Sequence, residues 1–298
     1  MNARCFSMKK TGWLIYDQEG AERNASYISM HIEEGEKLGI QIKLLYAEFL
    51  SFGIQKQKMV VFYKGQQMKF PNFTICRTIN PDISFMLEQT GVPLFNQAKV
   101  AEIANNKAKT YAFLAGKGIP MADAIFLTAE QLATDWDNIE ENSIIKAVAG
   151  HGGTQVFLKR EQDKEQIFHG IKNADVVVQP LIEGGKDVRV YVLGDTILAA
   201  VCRTAKEGFK SNYSLGGEVS LYTLSEENRL LVKKIMEQFS FGLVGIDFLI
   251  DEKGKFLFNE IEDVVGARML YQLTSINLVE KYLQFILEQI KLSEKKGR

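Results

Sequence analysis

An apolar hairpin near the C-terminus that carries three carboxylates constrains this chain more than any other stretch. Residues 244–250 predict one strand and residues 256–261 predict the returning strand. Because side chains of a strand alternate between its two faces, Glu260 and Glu262 share one face. Asp247 lies on the opposing strand and is predicted to point the same way. The hairpin therefore gathers three acidic side chains among Phe, Ile and Val.

The position of the turn sets how these carboxylates face one another. If Lys253 and Gly254 are the central turn residues, Asp247 pairs directly with Glu260. If the loop is centred on Glu252 and Lys253, they are diagonal neighbours. Both alternatives keep the three carboxylates together.

Three neighbouring carboxylates in apolar surroundings require a neutralising partner. An uncompensated buried charge costs several kcal/mol, so a cation is expected beside them. Mg²⁺ fits best, because it takes a few carboxylate oxygens and keeps positions open for phosphate. The alternative is an edge hairpin whose acidic face is solvated.

Composition excludes several other classes of protein. The chain has 298 residues, 46% of them hydrophobic, which is enough for a substantial core in two or three lobes. A net charge of -1 gives no basic field for nucleic acid or an anionic membrane. No run approaches the roughly 20 apolar residues that span a bilayer. The three cysteines form no CxxC pair, which is typical of a reducing compartment and predicts a cytoplasmic protein without structural zinc.

The first hundred residues predict a small α/β domain. A strand at 13–16, a helix at 25–38 and a strand at 40–45 form a βαβ unit with a parallel sheet. This region contains no GxGxxG, so a dinucleotide site has no support there. Asn24 and Arg77 are its candidates for contacts with a substrate.

Two lysines and a glycine-rich loop suggest a phosphate site. Lys107 falls in the first turn of a predicted helix, where the dipole disfavours a cation unless an anion is near. A solvated surface lysine is the alternative. Lys146 interrupts an apolar strand, and glycines at 150, 152 and 153 follow before another strand. This strand-loop-strand arrangement differs from a Walker P-loop.

Taken in order, these pieces resemble the ATP-grasp superfamily, and most closely its RimK-type branch of glutamate ligases. The similarity covers about two-thirds of the chain, from about residue 96 to the C-terminus. It is carried by Asn106-Lys107, Gly118-Ile119-Pro120, Ile145-Lys146, Gly152-Gly153, Val178-Gln179, Asp187-Val188-Arg189, the run 205–212, Gly216-Gly217, Val244-Gly245-Ile246-Asp247 and Asn259-Glu260.

The resemblance implies an ATP-grasp fold of α/β plus α+β type. A small parallel-sheet domain over residues 1–97 would precede a central lobe at 98–178 that carries a glycine-rich lid. A C-terminal lobe at 179–298 would carry the metal site. The two lobes would hold ATP between them.

The resemblance also implies roles for individual residues. The nucleotide would be bound by Lys107, Lys146, Gly152, Gly153, Gln179, Pro180, Leu181, Ile182, Glu183, Asp187 and Arg189, with the two lysines on the phosphates and 179–182 beside adenine. Two Mg²⁺ ions, or Mn²⁺, would be held by Asp247, Glu260 and Glu262. The transferred phosphoryl group and the acyl substrate would face Arg203, Lys210 and Asn212.

The chain departs from the family after the second carboxylate. Glu262 replaces the usual Asn, which retains a hard oxygen ligand, and Val264-Val265-Gly266 replaces Ser-Pro-Gly. The substrate loop is therefore expected to differ. Arg268 is a candidate for binding a substrate carboxylate, and a surface salt bridge is the alternative.

The expected activity is an ATP-dependent ligase that joins a small-molecule or peptide carboxylate to an amine or amino acid through an acyl phosphate. One alternative is a kinase of the same fold that phosphorylates a hydroxyl. The other is an ATP-binding module without catalysis, against which the intact acidic hairpin and both lysines argue. A homo-oligomer is compatible with the sequence.

Overall fold

The computed structural model describes residues 10–150, 153–204 and 218–296. The chain divides into two compact units. Unit 1 is made of Met1–Ala101, Phe241–Leu243 and Ser275–Arg298, and unit 2 of Glu102–Ser240 and Val244–Thr274.

The helices and strands follow one another as the hydrophobic pattern predicts in most places. The first part of the chain contains β1 (Lys10–Tyr16), α1 (Gln18–Arg23), α2 (Ala25–Lys37), β2 (Ile40–Tyr46), β3 (Leu50–Gln55), β4 (Lys58–Tyr63), β5 (Gln66–Gln67), β6 (Phe73–Cys76), α3 (Pro81–Glu88), β7 (Leu94–Phe95) and α4 (Ala98–Ala104). The remainder contains α5 (Lys107–Leu114), β8 (Ile125–Leu127), α6 (Ala129–Thr134), β9 (Ser143–Ala147), β10 (Val156–Leu158), α7 (Lys164–Ile171), β11 (Val176–Pro180), β12 (Lys186–Leu193), β13 (Thr196–Thr204), β14 (Glu218–Leu221), α8 (Glu226–Met236), β15 (Leu243–Ile250), β16 (Phe256–Glu262), α9 (Arg268–Leu273) and α10 (Leu278–Lys296).

Unit 1 is built on a parallel sheet with the strand order β2-β1-β6-β7. The predicted βαβ unit is present, because β1 pairs in parallel with β2 across α2. Gly35 lets α2 approach the sheet, since a Cβ there would lie 2.8 Å from a side-chain carbon of Ile42. The chain crosses from one side of β1 to the other between β2 and β6.

Unit 2 contains two sheets. One has the order β10-β9-β11-β8 and is antiparallel throughout. The other has the order β14-β13-β12-β15-β16 and includes the acidic hairpin formed by β15 and β16. No helix in the described ranges combines the length and apolar character needed to cross a membrane.

Candidate functional site

A bulge in the acidic hairpin sets the direction of its carboxylates. Asp247 lies directly opposite Glu260, and Gly245 lies opposite Glu262. Nearer the turn, Phe248 pairs with Phe258, so Asn259 is an extra residue in β16. Without that residue, the register that starts at the turn would place Glu260 on the face opposite to Asp247.

The direct pairing of Asp247 with Glu260 is thus confirmed, but the predicted two-residue turn is wrong. Ile250 pairs with Phe256, which leaves five residues, 251–255, between the strands. The bulge restores the register that a two-residue turn would have given. Sequence alternation alone could not reveal this compensation.

The three carboxylates converge inside unit 2. Each offers an oxygen, and these oxygens lie within 4.8 Å of one another. Asp247 is 0% exposed, whereas the side chains of Glu260 and Glu262 are 21% and 23% exposed. The alternative of a solvated acidic face is therefore wrong.

The protein's own arginines neutralise much of this acidity. Arg189 donates from Nε to Oδ1 of Asp247 at 2.8 Å and from Nη2 to Oδ2 at 2.7 Å. The same Nη2 lies 2.6 Å from Oε1 of Glu262. Arg203 donates to Oδ2 of Asp247 at 2.6 Å and also pairs with Asp187. Part of the cationic charge expected beside the carboxylates is therefore supplied by the protein itself.

A second register shift brings Arg203 into this network. The hairpin of β12 and β13 shifts its pairing by one residue between Tyr191 and Val192. Beyond the shift, Asp187 lies directly opposite Arg203. Without it Arg203 would point to the other face of the sheet, because side chains alternate along a strand.

Lys107 belongs to the same site. It is the first residue of α5, and the side chain of Asn106 caps the helix by accepting from the Lys109 N–H. Its Nζ lies 3.1 Å from Oε2 of Glu260 and also donates to the carbonyl of Gly150. Since Lys107 is only 9% exposed, the alternative of a solvated surface lysine is wrong.

Lys146 approaches the hairpin from β9. Its Nζ donates to Oδ1 of Asn259 at 2.9 Å. Burial lowers the pKa of Lys146 to about 8, and the nearby charge of Glu260 opposes this shift. Asn259 thereby becomes part of the site although strict alternation along β16 would direct it away from Glu260.

Burial and opposite charges act against each other at the carboxylates. Burial alone would raise the pKa of Asp247, but Arg189 and Arg203 bring it down to about 2. Burial also opposes ionisation of Glu260, and the charge of Lys107 overcomes it, so that its pKa is lowered. For Glu262, burial dominates and raises the pKa despite Arg189. The site therefore holds its strongest negative charge at Asp247 and Glu260.

A pocket of about 810 Å³, including its open mouth, lies beside this network in unit 2. Many of the residues that the sequence predicts for the site line this pocket. They are Lys107, Lys146, Gly153, Gln179, Pro180, Leu181, Ile182, Asp187, Arg203 and Glu260. The pocket is also lined by Gly150 of the glycine-rich loop and by Ala122, Ile144, Val156, Leu249 and Asn259, for which the sequence predicts no role at the site. The apolar residues among them lie in short core strands or a loop. An apolar residue there looks the same in the sequence whether it packs in the core or lines a pocket.

The remaining predicted residues fall elsewhere or outside the description. Glu183 is exposed and does not line this pocket. Arg268 is exposed at the first residue of α9 and makes no ion pair within the described ranges, and its role at a substrate carboxylate stays a prediction. Gly152, Lys210 and Asn212 lie outside the described residues.

The antiparallel sheets, the inward lysines, the pocket and the carboxylate cluster define a protein of the ATP-grasp class. A family model described as a RimK-like ATP-grasp domain matches residues 104–286. Because the match covers more than half of the chain, the chain belongs to the RimK-like ATP-grasp family. The predicted family, fold class and enzyme class of ATP-dependent ligase are confirmed.

The relatives cover nearly the whole chain. An uncharacterized protein of Mycoplasma genitalium, MG011, is 27% identical over 292 residues, spanning 95% of this chain and 94% of its own length. A probable alpha-L-glutamate ligase of Legionella pneumophila (strain Corby) is 26% identical over 274 residues, spanning 87% of this chain and 90% of its own.

Two solved structures show the same fold. D-alanyl-alanine synthetase A of Vibrio cholerae has a TM-score of 0.67 at 17% identity and covers 95% of this chain and 99% of its own. The ATP-grasp ligase PsnB, solved with a phosphomimetic variant of a minimal precursor, Mg and ADP, has a TM-score of 0.67 at 15% identity. That match covers 95% of this chain and 99% of PsnB.

Proposed function

We propose that this protein is an ATP-dependent ligase that joins a carboxylate to an amine through an acyl phosphate and releases ADP and phosphate. The observation that carries the proposal is the convergence of Asp247, Glu260 and Glu262 beside a pocket entered by Lys107 and Lys146. Family membership supports it, and so do relatives named as probable glutamate ligases.

The pocket offers suitable groups for ATP. Lys107 and Lys146 would bind the phosphates as point charges. Adenine would lie along Gln179, Pro180 and its neighbours to Ile182, with the ribose near Glu183. Gln179 is 3% exposed and lines the pocket, so its side-chain amide would supply a hydrogen-bond donor for a base.

The carboxylate cluster fits a hard divalent cation. Asp247, Glu260 and Glu262 supply oxygen ligands that lie within 4.8 Å of one another. These residues would hold two Mg²⁺ ions, and Mn²⁺ would be accepted as well. Bound there, the metal would neutralise charge on the β- and γ-phosphates.

The arginines of the network position its carboxylates. Asp247 accepts two hydrogen bonds from Arg189 and one from Arg203, so three of its lone pairs are engaged. Glu260 and Glu262 keep more of their oxygen surface accessible and would provide most of the coordination. Asp247 would then offer one remaining lone pair to the metal. It would also hold Arg189 and Arg203 in a fixed orientation.

The reaction would proceed in two displacements. In the first, a substrate carboxylate oxygen bonds to the γ-phosphorus while the bond from that phosphorus to the β-γ bridging oxygen breaks, which releases ADP. In the second, the amine nitrogen bonds to the acyl carbon, the carbon–oxygen bond to phosphate breaks, and the amine proton leaves to solvent. Positioning and charge neutralisation supply most of the catalysis of such a transfer.

The pocket's cations have distinct tasks in this scheme. Lys107 and Lys146 would stabilise charge on the nucleotide phosphates. Arg203 would face the transferred group together with Lys210 and Asn212, and Arg268 would bind a carboxylate of the substrate. In the proposed reaction, the carboxylate would belong to a small molecule or peptide, and the nucleophile would be an amine or amino acid. The expected location of the reaction is the cytoplasm.

Product analysis tests the proposal. The protein would be incubated with ATP, Mg²⁺, pooled amino acids and a panel of carboxylic acids, and products identified by mass spectrometry. We expect ADP, phosphate and an amide in equal amounts. A phosphorylated alcohol would select the kinase, and binding of ATP without turnover in every mixture would select the non-catalytic module.

A matched pair of variants separates the site from the rest of the hairpin. Glu260→Gln should reduce turnover by about a hundredfold to a thousandfold, because it removes a charged ligand from the reacting phosphates. Glu252→Gln changes an exposed carboxylate in the loop of the same hairpin and should leave turnover unchanged. Equal activities of the two variants would contradict the proposed site.

A further inference from the structure

The bulge in the acidic hairpin brings one neutral side chain to the pocket. Asn259 is the extra residue of β16, between Phe258 and Glu260. A bulged residue is left unpaired in the ladder, so its side chain can take a direction that regular pairing would not give it. The side chain of Asn259 lines the pocket and accepts a hydrogen bond from Nζ of Lys146 at 2.9 Å. The bulge therefore supplies an amide to a lysine of the site.

Contacts from outside the hairpin fix the position of the bulge. The N–H of Phe258 donates to the carbonyl of Pro120 at 2.8 Å, and the hydroxyl of Tyr111 donates to the carbonyl of Phe258 at 3.1 Å. Tyr111 is 4% exposed, and its ring lies against that of Phe258 with the centroids 5.7 Å apart. Other parts of unit 2 thus bind both backbone polar groups of the residue before Asn259. The side chain of Asn259 starts from a backbone that is held in place.

Lys146 reaches the pocket from the middle of its sheet. Its strand, β9, lies between β10 and β11. Ile144, two residues earlier, also lines the pocket, as expected for side chains on the same face of a strand. Ile145 and Ala147 point to the other face and belong to a buried hydrophobic cluster. The strand therefore directs Lys146 into the pocket, and only the flexible end of its side chain needs a partner to fix it.

The two lysines of the pocket have partners of different charge. Lys107 lies 3.1 Å from a carboxylate oxygen of Glu260. Within residues 10–150, 153–204 and 218–296, Lys146 makes no ion pair, and its hydrogen bond goes to the amide of Asn259. The charge of Glu260 acts on Lys146 only across a longer distance. Because an amide oxygen accepts a hydrogen bond without a net charge, Asn259 fixes the ammonium group and leaves its positive charge available to an anion.

The chemistry of the lysine sets the orientation of this amide. An ammonium group only donates, so Asn259 must turn its oxygen, and not its nitrogen, towards Lys146. A long side chain loses conformational freedom when it binds an anion, and fixing it beforehand removes part of that cost. The hydrogen bond from Lys146 to Asn259 is therefore suited to preorganise the cation before a ligand arrives.

We propose that Asn259 is a positioning residue, which holds the ammonium group of Lys146 towards the phosphates of the nucleotide without neutralising it. This inference rests on the proposed function, because that function assigns Lys146 to the phosphates. It adds that the nucleotide affinity gained from Lys146 depends on the bulge in β16. Asn259 acts through Lys146 and needs no contact of its own with the nucleotide.

A double-mutant cycle of ADP affinity tests the inference. The wild type, Asn259→Ala, Lys146→Met and the double variant would be titrated with ADP by calorimetry at saturating Mg²⁺. Lys146→Met should weaken ADP binding at least about tenfold, and Asn259→Ala about threefold to tenfold, since a hydrogen bond to a charged group is lost. In the Lys146→Met background, Asn259→Ala should change ADP affinity by less than about twofold, because the group that Asn259 positions is absent.

Adenosine and a matched variant separate positioning from a structural effect. Adenosine lacks phosphates, so its affinity, measured by displacement of ADP, should agree within about twofold between the wild type and Asn259→Ala. Asn142 is exposed, directly precedes β9 and accepts a hydrogen bond from Arg160, and Asn142→Ala should bind both ligands like the wild type. Asn259→Ser is a second variant with a shorter side chain, and it should weaken ADP binding as Asn259→Ala does.

Three results would overturn the role of Asn259. One is a wild-type ADP affinity in whichever of Asn259→Ala and Asn259→Ser folds. Another is an equal loss from Asn259→Ala with and without Lys146. The third is a loss of adenosine affinity as large as that of ADP affinity, which would assign Asn259 to the base.

Failure of the proposed ligase would appear in a different experiment. The product analysis uses wild-type protein and depends on turnover, whereas the cycle depends on ADP binding alone. A wild type that binds ADP but forms no amide would contradict the ligase, and the cycle would still decide the role of Asn259. A wild type that binds no ADP would remove the nucleotide site and the inference with it.

Discussion

Buried arginines in the two units are compensated in different ways. In unit 2, Arg189 and Arg203 meet carboxylate oxygens at 2.6 to 2.8 Å. In unit 1, Arg77 packs against tyrosine rings at 5.0 and 5.6 Å. Ion pairs with two fixed hydrogen bonds hold both partners in one geometry, whereas ring faces attract a cation with less directional force. The first arrangement therefore suits a cluster whose carboxylates are held in one fixed orientation.

The largest effect is expected when an ion pair of unit 2 is broken. Arg189→Met removes the main cation beside Asp247 and Glu262, and an uncompensated buried charge typically costs about 3–5 kcal/mol. The free energy of unfolding, measured with urea, should fall by that amount. Arg189→Met combined with Glu262→Gln should recover part of the loss, because one orphaned charge is removed.

An exposed arginine of the same unit provides the control. Arg160 lies at the surface, and Arg160→Met should change the free energy of unfolding by less than about 1 kcal/mol. Similar losses in Arg189→Met and Arg160→Met would show that the ion-pair network contributes little to stability.

A smaller effect is expected from His31 as the pH falls. Burial lowers its pKa to about 4 in the folded protein, against 6.5 for the free side chain. Between pH 4 and pH 6.5, the unfolded chain binds a proton at His31 that the folded chain does not. The contribution of His31 to the free energy of unfolding is therefore complete above pH 6.5 and is lost as the pH falls towards 4. The loss attributable to His31 is about 2–3 kcal/mol.

The difference between variants isolates this contribution, since carboxylates also titrate in the same range. Urea unfolding between pH 7 and pH 4.5 should show a flatter profile for His31→Gln than for the wild type. His169 is exposed, and His169→Gln should follow the wild type. Parallel profiles for all three proteins would show that His31 does not lose its proton on folding.

The smallest effect concerns the packing that supports Arg189. A Cβ at Gly245 would lie 2.7 Å from Cγ2 of Val265 and 3.3 Å from Cδ of Arg189. Gly245→Ala should therefore cost about 1–2 kcal/mol of unfolding free energy, as overpacking does. At Gly266 an added Cβ meets no atom within 4 Å, so Gly266→Ala should change stability little. Equal values for both would mean that the chain around Arg189 adjusts without strain.

Much of the fold followed from local pattern, because alternation and helix periodicity are properties of neighbouring residues. The acidic hairpin and the helix that begins at Lys107 were predicted in this way. The ion pairs were not. Arg189 and Asp247 are 58 residues apart, and only the order of β12 and β15 in their sheet makes them neighbours.

The two bulges escaped prediction for a related reason. An extra residue at Asn259, and the register shift after Tyr191, carry no glycine or proline that would mark them. Both change the face to which the following side chains point, and both do so at the site. The division into residues 1–97, 98–178 and 179–298 and the individual site roles remain predictions.

Titration of ADP in the absence and presence of Mg²⁺ tests the central claim that the acidic hairpin is a metal-nucleotide site. The protein's cations already balance much of the carboxylate charge, so Mg²⁺ alone should bind weakly and ADP should bring it into the site. We predict that Mg²⁺ strengthens ADP binding at least about tenfold in the wild type and in Glu252→Gln, and much less in Glu260→Gln. An ADP affinity that is independent of Mg²⁺, or a Mg²⁺ effect that survives in Glu260→Gln, would contradict the account.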